Sequence, residues 1–450
     1  GVLGAGVGDT AIMEDAPRTR ARRCETAKPT PPEILGTQKL LRAKFAHVEC
    51  RRAGDFTVDR PGFAGRLEGD MTPRRSGGRR LLVAAAAAVT LVLAGCNSEM
   101  DKNGQNSLRP RSSQAEKIYS LFWPIGIVAV VVGVGIVSAT VYLAWRFRYR
   151  EGVNENPKQI HGNTRLEIGW TVVPALLLAI VAVPTVATIF DLAKNPGPSA
   201  LQVTVEGKQW WWQFSYPDAK VVTADEMVIP TGRDVHLHLT ACDGSGASKS
   251  CNVIHSFWVP ELAGKKDVVP GHDNTMTLSA DKPGTYLGQC AEYCGLSHAN
   301  MRFRVIAKSP ADFETWLGQQ QQGPVQPLSE SDGTTPAGDA QTLITKTFQC
   351  TNCHIFDDSS KAAYGPNLTH LASRTTFASG SYPLNKQNLT NWVYDAPSMV
   401  PMSSQDCRLP PAPGNICVGM PSFSQNTPKG QATMTRAQAE QIADFLLEQQ

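Results

Sequence analysis

Two stretches of the chain are apolar over lengths that ordinary soluble helices rarely reach. Residues 118–145 carry no charged side chain over 28 positions, and residues 168–190 are apolar over 23 positions. A helix needs about 20 apolar residues to cross the hydrocarbon core of a bilayer. Buried helices of a soluble protein are the alternative at these lengths. The pattern favours two transmembrane spans joined as a hairpin.

The loop between the two spans predicts the orientation of this hairpin. Its basic residues outnumber its acidic ones: they are Arg146, Arg148, Arg150, Lys158 and Arg165, against Glu151 and Glu155. An excess of Lys and Arg marks the cytoplasmic side of a membrane protein. The mature N-terminus and everything after residue 190 are therefore expected outside, in an oxidising compartment. A two-span hairpin offers no transport path by itself, which predicts a larger membrane partner.

The segment before the hairpin divides into two parts. Residues 1–70 are rich in Arg, Gly and Pro without an apolar period, which predicts a disordered or non-native extension. Residues 71–95 have a basic start and a short apolar run, which is typical of a signal peptide. The run ends in Leu-Ala-Gly-Cys, which resembles a bacterial lipoprotein signal and makes Cys96 the expected lipidated first residue. A plain signal peptide or an ordinary buried cysteine is the alternative.

A period of two replaces the long apolar runs in residues 200–318. Strand-like runs lie at 201–206, 226–229, 234–240, 275–279 and 302–307, separated by turn residues. The run Val-His-Leu-His-Leu-Thr at 235–240 alternates strictly. The pattern predicts an all-β external domain, an antiparallel sandwich or small barrel.

Soft metal ligands gather in two pieces of this β domain. One piece contributes His255, and the motif Gly-Gln-Cys-Ala-Glu-Tyr-Cys-Gly-Leu-Ser-His-Ala-Asn-Met contributes Cys290, Cys294, His298 and Met301. Thiolates, imidazoles and a thioether suit copper, and a second thiolate beside the first can bridge two copper ions. A disulfide between the two cysteines or a zinc site is the alternative, although a disulfide leaves the histidines and the methionine unexplained.

The last part of the chain carries a second candidate redox site. Residues 319–340 are rich in Gln, Pro, Gly and Ser and are expected to form a flexible linker. Beyond it, Cys350, Cys353 and His354 have the Cys-x-x-Cys-His spacing of c-type haem attachment, with two thioether bonds and an axial imidazole. A redox-active or zinc-binding cysteine pair is the alternative for so short a motif.

The residues that follow this motif strengthen the haem interpretation. Gly-Pro-Asn-Leu begins at Gly365, Gly-Met-Pro-Ser-Phe contains Met420, and the chain ends in a helical pattern. This order resembles an all-α class I cytochrome c over residues 341–450. The resemblance makes Met420 the second axial iron ligand and the carbonyl of Pro366 the group that orients the axial histidine. Met399 and Met402 are rival iron ligands. A Met/His axial pair raises the haem potential.

Four further cysteines stand in pairs that flank short loops. Cys242 and Cys251 enclose a Gly- and Ser-rich loop, and Cys407 and Cys417 enclose a Pro-rich one. In an external domain, a disulfide that closes each loop is the simple interpretation. A metal role for the first pair is the alternative.

Taken together, residues 114–318 resemble subunit II of a haem–copper cytochrome c oxidase, with its membrane hairpin, cupredoxin domain and binuclear CuA centre. The resemblance makes Cys290 and Cys294 bridging thiolates, with imidazoles and a thioether completing the set. It adds Glu292, whose backbone carbonyl is a further copper ligand and whose carboxylate helps to bind a magnesium ion shared with subunit I. Quinol-oxidising relatives lack these copper ligands.

The same resemblance assigns roles to two residues outside the ligand set. Trp210, in the run Gly-Lys-Gln-Trp-Trp-Trp, aligns with the tryptophan through which electrons enter; core packing or anchoring at the membrane interface is the alternative. Lys208 and Trp211 depart from the family's usual residues there. Glu167, near the cytoplasmic edge of the second span, matches a proton-entry glutamate that feeds a channel in subunit I; a solvated surface carboxylate is the alternative.

The combined prediction is a multidomain membrane protein of the bacterial cell membrane: subunit II of a respiratory cytochrome c oxidase fused to a cytochrome c, the caa-type arrangement. Electrons are expected to reach haem c, pass through CuA and continue to subunit I for dioxygen reduction coupled to proton pumping. Expected partners are subunits I and III, with cytochrome c or a quinol–cytochrome c reductase as donor. A CuA subunit of a nitric oxide or nitrous oxide reductase and a free-standing membrane-anchored carrier are the alternatives.

Composition and charge change one part of this picture. The chain has 450 residues, enough for about three units, and 42% hydrophobic with 18% charged residues excludes a disordered or collagen-like chain. Its net charge of +3 hints at an anionic partner. Residues 1–80 hold 16 basic and 10 acidic residues, so removal of the leader leaves a mildly acidic chain with no nucleic-acid signal. The expected units are a hairpin, a copper domain and a haem domain.

Overall fold

We analysed a computed structural model of the chain, which divides into two compact units, Gly1–Arg74 and Arg75–Gln450. The structure describes residues 104–152, 159, 161–241, 253–326, 328, 336–361, 364–402, 419–424 and 432–450, all in the second unit. Several predictions lie outside the described residues: the N-terminal extension, the signal peptide with Cys96, and the four loop-flanking cysteines, Cys242, Cys251, Cys407 and Cys417.

The two apolar runs form long helices, α1 (Ser113–Arg146) and α2 (Thr164–Leu192). A polar side chain caps the N-terminus of each helix. At α1, Ser112 Oγ accepts the N–H of Ala115 at 3.0 Å, and at α2, Asn163 Oδ1 accepts the N–H of Arg165 at 3.1 Å. Their most apolar 18-residue windows are 0% buried within the described protein, as expected for helices that face lipid. Both predicted spans are confirmed as helices long and apolar enough to cross a membrane.

An ion pair fastens the outer end of the hairpin. Lys117, in the first turns of α1, lies 2.6 Å from Asp191 at the end of α2, measured from Nζ to Oδ2. This contact brings the start of one helix beside the end of the other. The two helices are therefore antiparallel, as the two-span topology requires.

The described residues of the external β domain form ten strands in two sheets. They are β1 (Leu201–Lys208), β2 (Trp211–Tyr216), β3 (Val221–Ala224), β4 (Glu226–Pro230), β5 (Val235–Thr240), β6 (His255–Trp258), β7 (Lys265–Val268), β8 (Asn274–Leu278), β9 (Gly284–Cys290) and β10 (Arg302–Lys308). One sheet has the order β3-β2-β1-β5-β8 and the other β4-β10-β9-β6-β7. This two-sheet arrangement is the predicted sandwich and is consistent with a cupredoxin-like fold.

The sandwich is mixed, and the expectation of a purely antiparallel one is wrong at two places. β1 runs parallel to β5, and β4 runs parallel to β10. Each parallel pair joins strands that are distant in sequence, because parallel neighbours need a long crossover connection. Turn signals between consecutive runs do not reveal such pairings.

Aromatic side chains fill the space between the two sheets. Trp212 is fully buried, and its ring lies 5.7 Å from Phe257 and 5.3 Å from Phe303, which stack on each other at 4.5 Å. Gly288 faces Phe303 so closely that any Cβ there would overlap the ring. The rings reach across from both sheets, so the metal-bearing strands rest on a rigid apolar core.

A short helix, α3 (Pro310–Gln320), closes the β domain. Ser309 caps its start, accepting the N–H of Asp312 at 3.2 Å. The buried side chains of Phe313 and Trp316 pack against the sandwich, with the ring of Trp316 lying 5.5 Å from that of Tyr216.

In the part of the C-terminal segment that the structure describes, three α-helices surround an apolar core: α4 (Pro336–Thr342), α5 (Lys386–Met399) and α6 (Arg436–Leu447). A two-residue strand pair, β11 (Thr376–Phe377) with β12 (Tyr382–Pro383), lies between the first two. The core residues include Ile344, Phe348, Leu389, Phe423, Ile442 and Phe445. The expected terminal helix is present, and the all-α cytochrome c fold stays a prediction.

Candidate metal centre and redox sites

The candidate copper ligands come from two neighbouring strands, β6 and β9, and from the loop that joins β9 to β10. His255 opens β6, and Cys290 closes β9, which pairs with β6. The loop after Cys290 returns to the same point, because the backbone N–H of Cys290 donates to the carbonyl of Met301 at 2.9 Å. The sequence therefore brings all five predicted ligands to one end of the sandwich.

The donor atoms of these ligands form one compact cluster. Cys290 Sγ lies 3.8 Å from His255 Nδ1 and 3.9 Å from Cys294 Sγ. Cys294 Sγ lies 3.6 Å from His298 Nδ1 and 3.6 Å from Met301 Sδ. The structure thus joins the five predicted side chains in one cluster through the two cysteine sulfurs.

The chemistry of this cluster fits a metal ion and excludes one alternative. The two sulfurs are 3.9 Å apart, against about 2.05 Å for a disulfide, so both cysteines are free thiols. His255, Cys290 and Cys294 could hold a metal ion, since their donor atoms lie within 4.8 Å of one another. His255 Nε2 is buried without a hydrogen-bond partner in the described structure, whereas the other ring nitrogen, Nδ1, faces Cys290 Sγ.

The two thiols influence each other's protonation. The hydrogen bond shared with Cys294 lowers the pKa of Cys290, and the hydrogen bond with His255 acts in the same direction. That shared hydrogen bond raises the pKa of Cys294, and burial raises it further. One thiolate is therefore favoured before any metal arrives, and thiolates are the form that binds metal.

Glu292 contributes to the cluster through its backbone. Its carbonyl oxygen lies 3.2 Å from Cys290 Sγ, which is the position expected of a further ligand. Its side chain is exposed, beside the exposed apolar side chains of Tyr293 and Leu296. Glu292 is therefore accessible to solvent.

Trp210 is connected directly to the ligand loop. Its indole Nε1 donates to the carbonyl of Cys294 at 3.0 Å, and Gln209 Nε2 donates to the same oxygen at 2.7 Å. The indole packs against Gly295, whose φ of +108° and close contacts disfavour any larger residue. The sequence predicted the tryptophan, whereas Gln209 and Gly295 became visible only from the structure.

The two departures from the expected aromatic run have structural roles. Trp211 lies under the ammonium group of Lys208, with Nζ 5.1 Å from the ring centroid. Lys208 also lies 3.4 Å from the carboxylate of Glu206. Both side chains are mostly buried, so they belong to the packing of the first sheet.

Glu167 lies in the first turn of α2, at the end of the hairpin that carries the basic loop. The residue is exposed, and its carboxylate lies against the backbone of Gly162. The structure therefore puts Glu167 at the predicted membrane edge, away from the copper ligands.

Cys350 opens a tight turn, Cys350–Asn352, and Cys353 follows it directly. The backbone N–H of His354 donates to the carbonyl of Cys350 at 2.9 Å, which ties the histidine to this turn. His354 Nδ1 lies 2.8 Å from the carbonyl oxygen of Pro366, the contact that the sequence predicted. Gly365 lies under the ring, where a Cβ would come within 2.6 Å of Cε1. Because Nδ1 donates to a carbonyl, Nε2 is the ring nitrogen left for an iron ligand.

Burial keeps the groups of this second site uncharged. It raises the pKa of Cys350 to about 12, raises that of Cys353 and lowers that of His354. Both cysteines are free thiols. Neutral imidazole and unpaired thiols are the forms that haem attachment requires, so the residues fit the group.

The three candidate methionines have different surroundings. Met420 packs against the core of the C-terminal segment, and its N–H points to Met402 Sδ at 3.1 Å. Met402 instead packs against the core of the copper domain. Met399 ends α5, and its carbonyl accepts the hydroxyl of Tyr382 at 2.9 Å. Only Met420 among them packs with the core that contains Cys350.

These features define a class of protein: a membrane-anchored chain whose cupredoxin-like domain brings two free cysteines and a histidine together as a candidate metal site. The profile of the cytochrome c oxidase subunit II periplasmic domain matches residues 227–308, and that of the subunit II transmembrane domain matches residues 102–188. The chain belongs to the cytochrome c oxidase subunit II family. It is a subunit of a terminal oxidase, and its external domain is the copper-binding CuA domain of that family.

The chain is similar to subunits of both cytochrome c oxidases and quinol oxidases. The chain is 36% identical over 316 residues to cytochrome c oxidase subunit 2 of Alkalihalophilus pseudofirmus, which covers 69% of this chain and 86% of the relative. It is 32% identical over 243 residues to quinol oxidase subunit 2 of Bacillus cereus, covering 52% and 78%. The solved periplasmic domain of cytochrome oxidase subunit II from Bradyrhizobium japonicum is 28% identical, covering 28% of this chain and 96% of that one, with a TM-score of 0.25.

Proposed function

We propose that this chain receives electrons at a haem c attached to its C-terminal domain and delivers them through CuA to subunit I, as in caa-type oxidases. The observation that carries the proposal is that one chain brings five candidate copper ligands together and also holds His354 against the Pro366 carbonyl, beside two free thiols. In this assignment the bound metal groups supply one-electron transfer, while the protein holds, orients and shields them. Dioxygen reduction and proton pumping are assigned to the complex with subunit I.

At the first site we assign Cys290 and Cys294 as bridging thiolates, His255 and His298 as imidazole ligands, and Met301 as the weak thioether. The Glu292 carbonyl completes the set. The 3.6–3.9 Å spacing of the five side chains around two free thiols supports this assignment. Quinol-oxidising members of the family lack such ligands, so this cluster favours cytochrome c over quinol as the electron source.

At the second site we assign Cys350 and Cys353 as the thioether cysteines, His354 as one axial ligand and Met420 as the other. The contact between His354 and the Pro366 carbonyl supports the histidine, because it fixes the ring and frees Nε2. The packing of Met402 against the copper domain supports Met420 as the second ligand. The alignment to the first-named relative spans 316 residues, longer than the hairpin and copper domain together.

Trp210 is assigned as the residue through which electrons reach the copper centre. Its indole N–H donates to the carbonyl of Cys294, which is a ligand residue, so a single hydrogen bond separates the ring from the ligand loop. The alternatives of core packing and membrane anchoring do not account for this contact with the ligand loop.

Several finer assignments complete the proposal. Glu167 is the proton-entry carboxylate for subunit I, and the exposed Glu292 carboxylate holds a magnesium ion with that subunit. Cys96 is lipidated, and Cys242–Cys251 and Cys407–Cys417 are disulfides. Subunit III is a further partner, and cytochrome c or a quinol–cytochrome c reductase is the donor. A free-standing carrier needs neither the Glu167 nor the Glu292 carboxylate. Because Glu167 lies at the membrane edge and Glu292 in the copper loop, the two residues favour an oxidase subunit.

Purification of the native complex tests the proposal. We expect a co-purifying multi-span haem protein, a covalently bound c-type haem on this chain, two copper ions per chain beyond those of subunit I, and oxygen consumption with reduced cytochrome c. Met301→Leu should abolish the CuA absorption and leave the c-type haem spectrum intact, and Ala299→Ser, at an exposed position of the same loop, serves as control. Turnover of nitric oxide or nitrous oxide in place of oxygen would instead identify a reductase.

A further inference from the structure

Two neighbouring carboxylates of the copper domain are buried under the C-terminal domain. Asp225 lies between β3 and β4 with a φ of +60°, and Glu226 is the first residue of β4. Each residue is only 4% exposed. Buried carboxylates are costly unless donors surround them, so the source of their donors matters.

Among the described residues, the hydrogen-bond donors to the Glu226 carboxylate come from one segment of the C-terminal domain. Glu226 Oε1 accepts the N–H of Thr376 at 2.9 Å and its hydroxyl at 2.7 Å. It also accepts the hydroxyl of Thr375 at 2.5 Å and that residue's N–H at 3.1 Å. One carboxylate thus satisfies two backbone and two side-chain donors across the interface.

Asp225 links the same segment to the strand that follows Trp210. Its Oδ1 accepts the N–H of Trp212 at 2.9 Å, and its Oδ2 accepts the N–H of Ser379 at 3.0 Å. The hydroxyl of Ser379 donates to the carbonyl oxygen of Trp210 itself. The C-terminal segment is therefore fastened to the backbone of the electron-entry residue.

Positive charges stand on both sides of this contact. Arg374, in the C-terminal domain, is attracted by both carboxylates, although its burial lowers its pKa. Arg304 of β10 donates to the hydroxyl of Thr376. Arg374 of the C-terminal domain thus interacts with both carboxylates, and Arg304 of the copper domain contacts the threonine that Glu226 binds.

The contact between the two domains continues on both sides of Asp225 and Glu226. On one side, the hydroxyl of Ser297 in the ligand loop donates to the carbonyl of Pro401. On the other, the N–H of Val222 in β3 donates to the carbonyl of Ser359 at 2.7 Å. Gln320, at the end of α3, donates to Ser373 at 3.2 Å. These contacts surround the face that carries Trp210, which is 9% exposed.

We propose that Asp225 and Glu226 form a docking latch that holds the segment from Arg374 to Ser379 and so fixes the C-terminal domain over Trp210. The latch itself needs neither metal centre. Its consequence rests on the proposed function: because the entry face is covered, a separate electron-donor protein meets the C-terminal domain and not Trp210. The linker then serves as a connection to a docked domain, and the latch sets the domain's position.

The test uses the complete oxidase complex and two readouts. Hydrogen exchange at the amides of Thr375, Thr376 and Ser379 reports on the latch alone. Glu226→Gln replaces one acceptor oxygen by a donor, so we expect exchange there to accelerate about tenfold or more, while the core amides of β1 and α6 keep their protection. Thr376→Val replaces the hydroxyl by a methyl group of similar size. It should accelerate exchange at these amides by a smaller factor than Glu226→Gln does. Glu314→Gln, at an exposed position of α3, is the matched control.

The second readout is rapid reduction by added soluble cytochrome c. In the unaltered complex we expect haem c to be reduced first and copper afterwards, and in Glu226→Gln we expect the second phase to slow about tenfold. Unchanged exchange at the three amides in Glu226→Gln overturns the latch. Copper reduction that precedes haem reduction in the unaltered complex overturns the covering of Trp210. A complex without any c-type haem contradicts the proposed function, while the exchange readout still decides the latch.

Discussion

The copper domain and the C-terminal domain hold their candidate ligands in different ways. The copper ligands stand on strands and a loop anchored to an aromatic core, and the ends of that loop are joined by the Cys290–Met301 backbone hydrogen bond. The haem ligands stand on turns, and Met420 lies far along the chain from Cys350. The candidate copper ligands contact one another through the two cysteine sulfurs, whereas the histidine of the second site is positioned by the carbonyl of Pro366.

The largest effect should follow from loss of haem attachment. Cys350→Ser combined with Cys353→Ser should remove the c-type absorption completely and expose the amides of α6, because a small core without its haem is poorly filled. The copper domain should keep its CuA spectrum. Absorption spectroscopy and hydrogen exchange of the same sample measure both results. Equal loss of amide protection in β9 and α6 would contradict the expected difference between the two domains.

The reciprocal change removes the copper centre and spares its fold. Cys290→Ser should abolish the CuA absorption, since serine cannot bridge two copper ions as a thiolate does. The strands around it should remain, with the free energy of unfolding of the metal-free protein lowered by only about 1 kcal/mol. Thermal melting with and without copper checks this. Disappearance of the haem spectrum together with the copper signal in a folded protein would contradict the assignment of two centres.

A smaller effect should come from a substitution at Gly207, whose backbone lies beside the ring of the candidate copper ligand His255. A Cβ at Gly207 would come within 2.9 Å of that ring, so Gly207→Ala should displace the imidazole. Overpacking of this kind costs about 1–3 kcal/mol, and we expect weaker copper retention against a chelator. Gly318→Ala is the control, because nothing lies within 4 Å of a Cβ there. Equal copper retention in both variants would show that the site adapts more readily than its packing indicates.

The smallest predicted effect is a pH dependence of the contact between the two domains. Burial raises the pKa of Asp225 from 3.8 to about 7, so the docked form binds a proton that a solvated carboxyl has released. Docking stability is then fully present below about pH 4 and is lost progressively as the pH rises through about 7. Exchange at the Ser379 amide between pH 5 and pH 8, corrected for intrinsic rates, measures this. Asp225→Asn should flatten the dependence, and an unchanged slope in that variant would assign it to another group.

The sequence predicted most of what depends on local pattern. The apolar runs gave both helices of the hairpin, and the alternating runs correspond to β1, β4, β5, β8 and β10. The remaining strands of the sandwich were missed, because β6 and β7 are only four residues long and β2 is nearly all apolar and aromatic. Parallel pairing was missed as well, since it joins strands distant in the chain.

The candidate sites show the same division. The five copper ligands were predicted because their residue types and spacing are chemically unusual, and the structure brings them together. Gln209 and Gly295 were missed, since each acts through a contact with Trp210 or Cys294 that no local pattern reveals. Asp225 and Glu226 were missed for a related reason: their partners lie about 150 residues further along the chain.

The central claim is that two redox sites on one chain serve a terminal oxidase in series. Oxygen consumption by the purified Cys290→Ser complex, with haem c reduced by added cytochrome c, tests it most directly. The account predicts a haem c that becomes fully reduced while oxygen consumption falls to the background rate. Oxygen consumption at the rate of the unaltered complex, with CuA absorption absent, would contradict it.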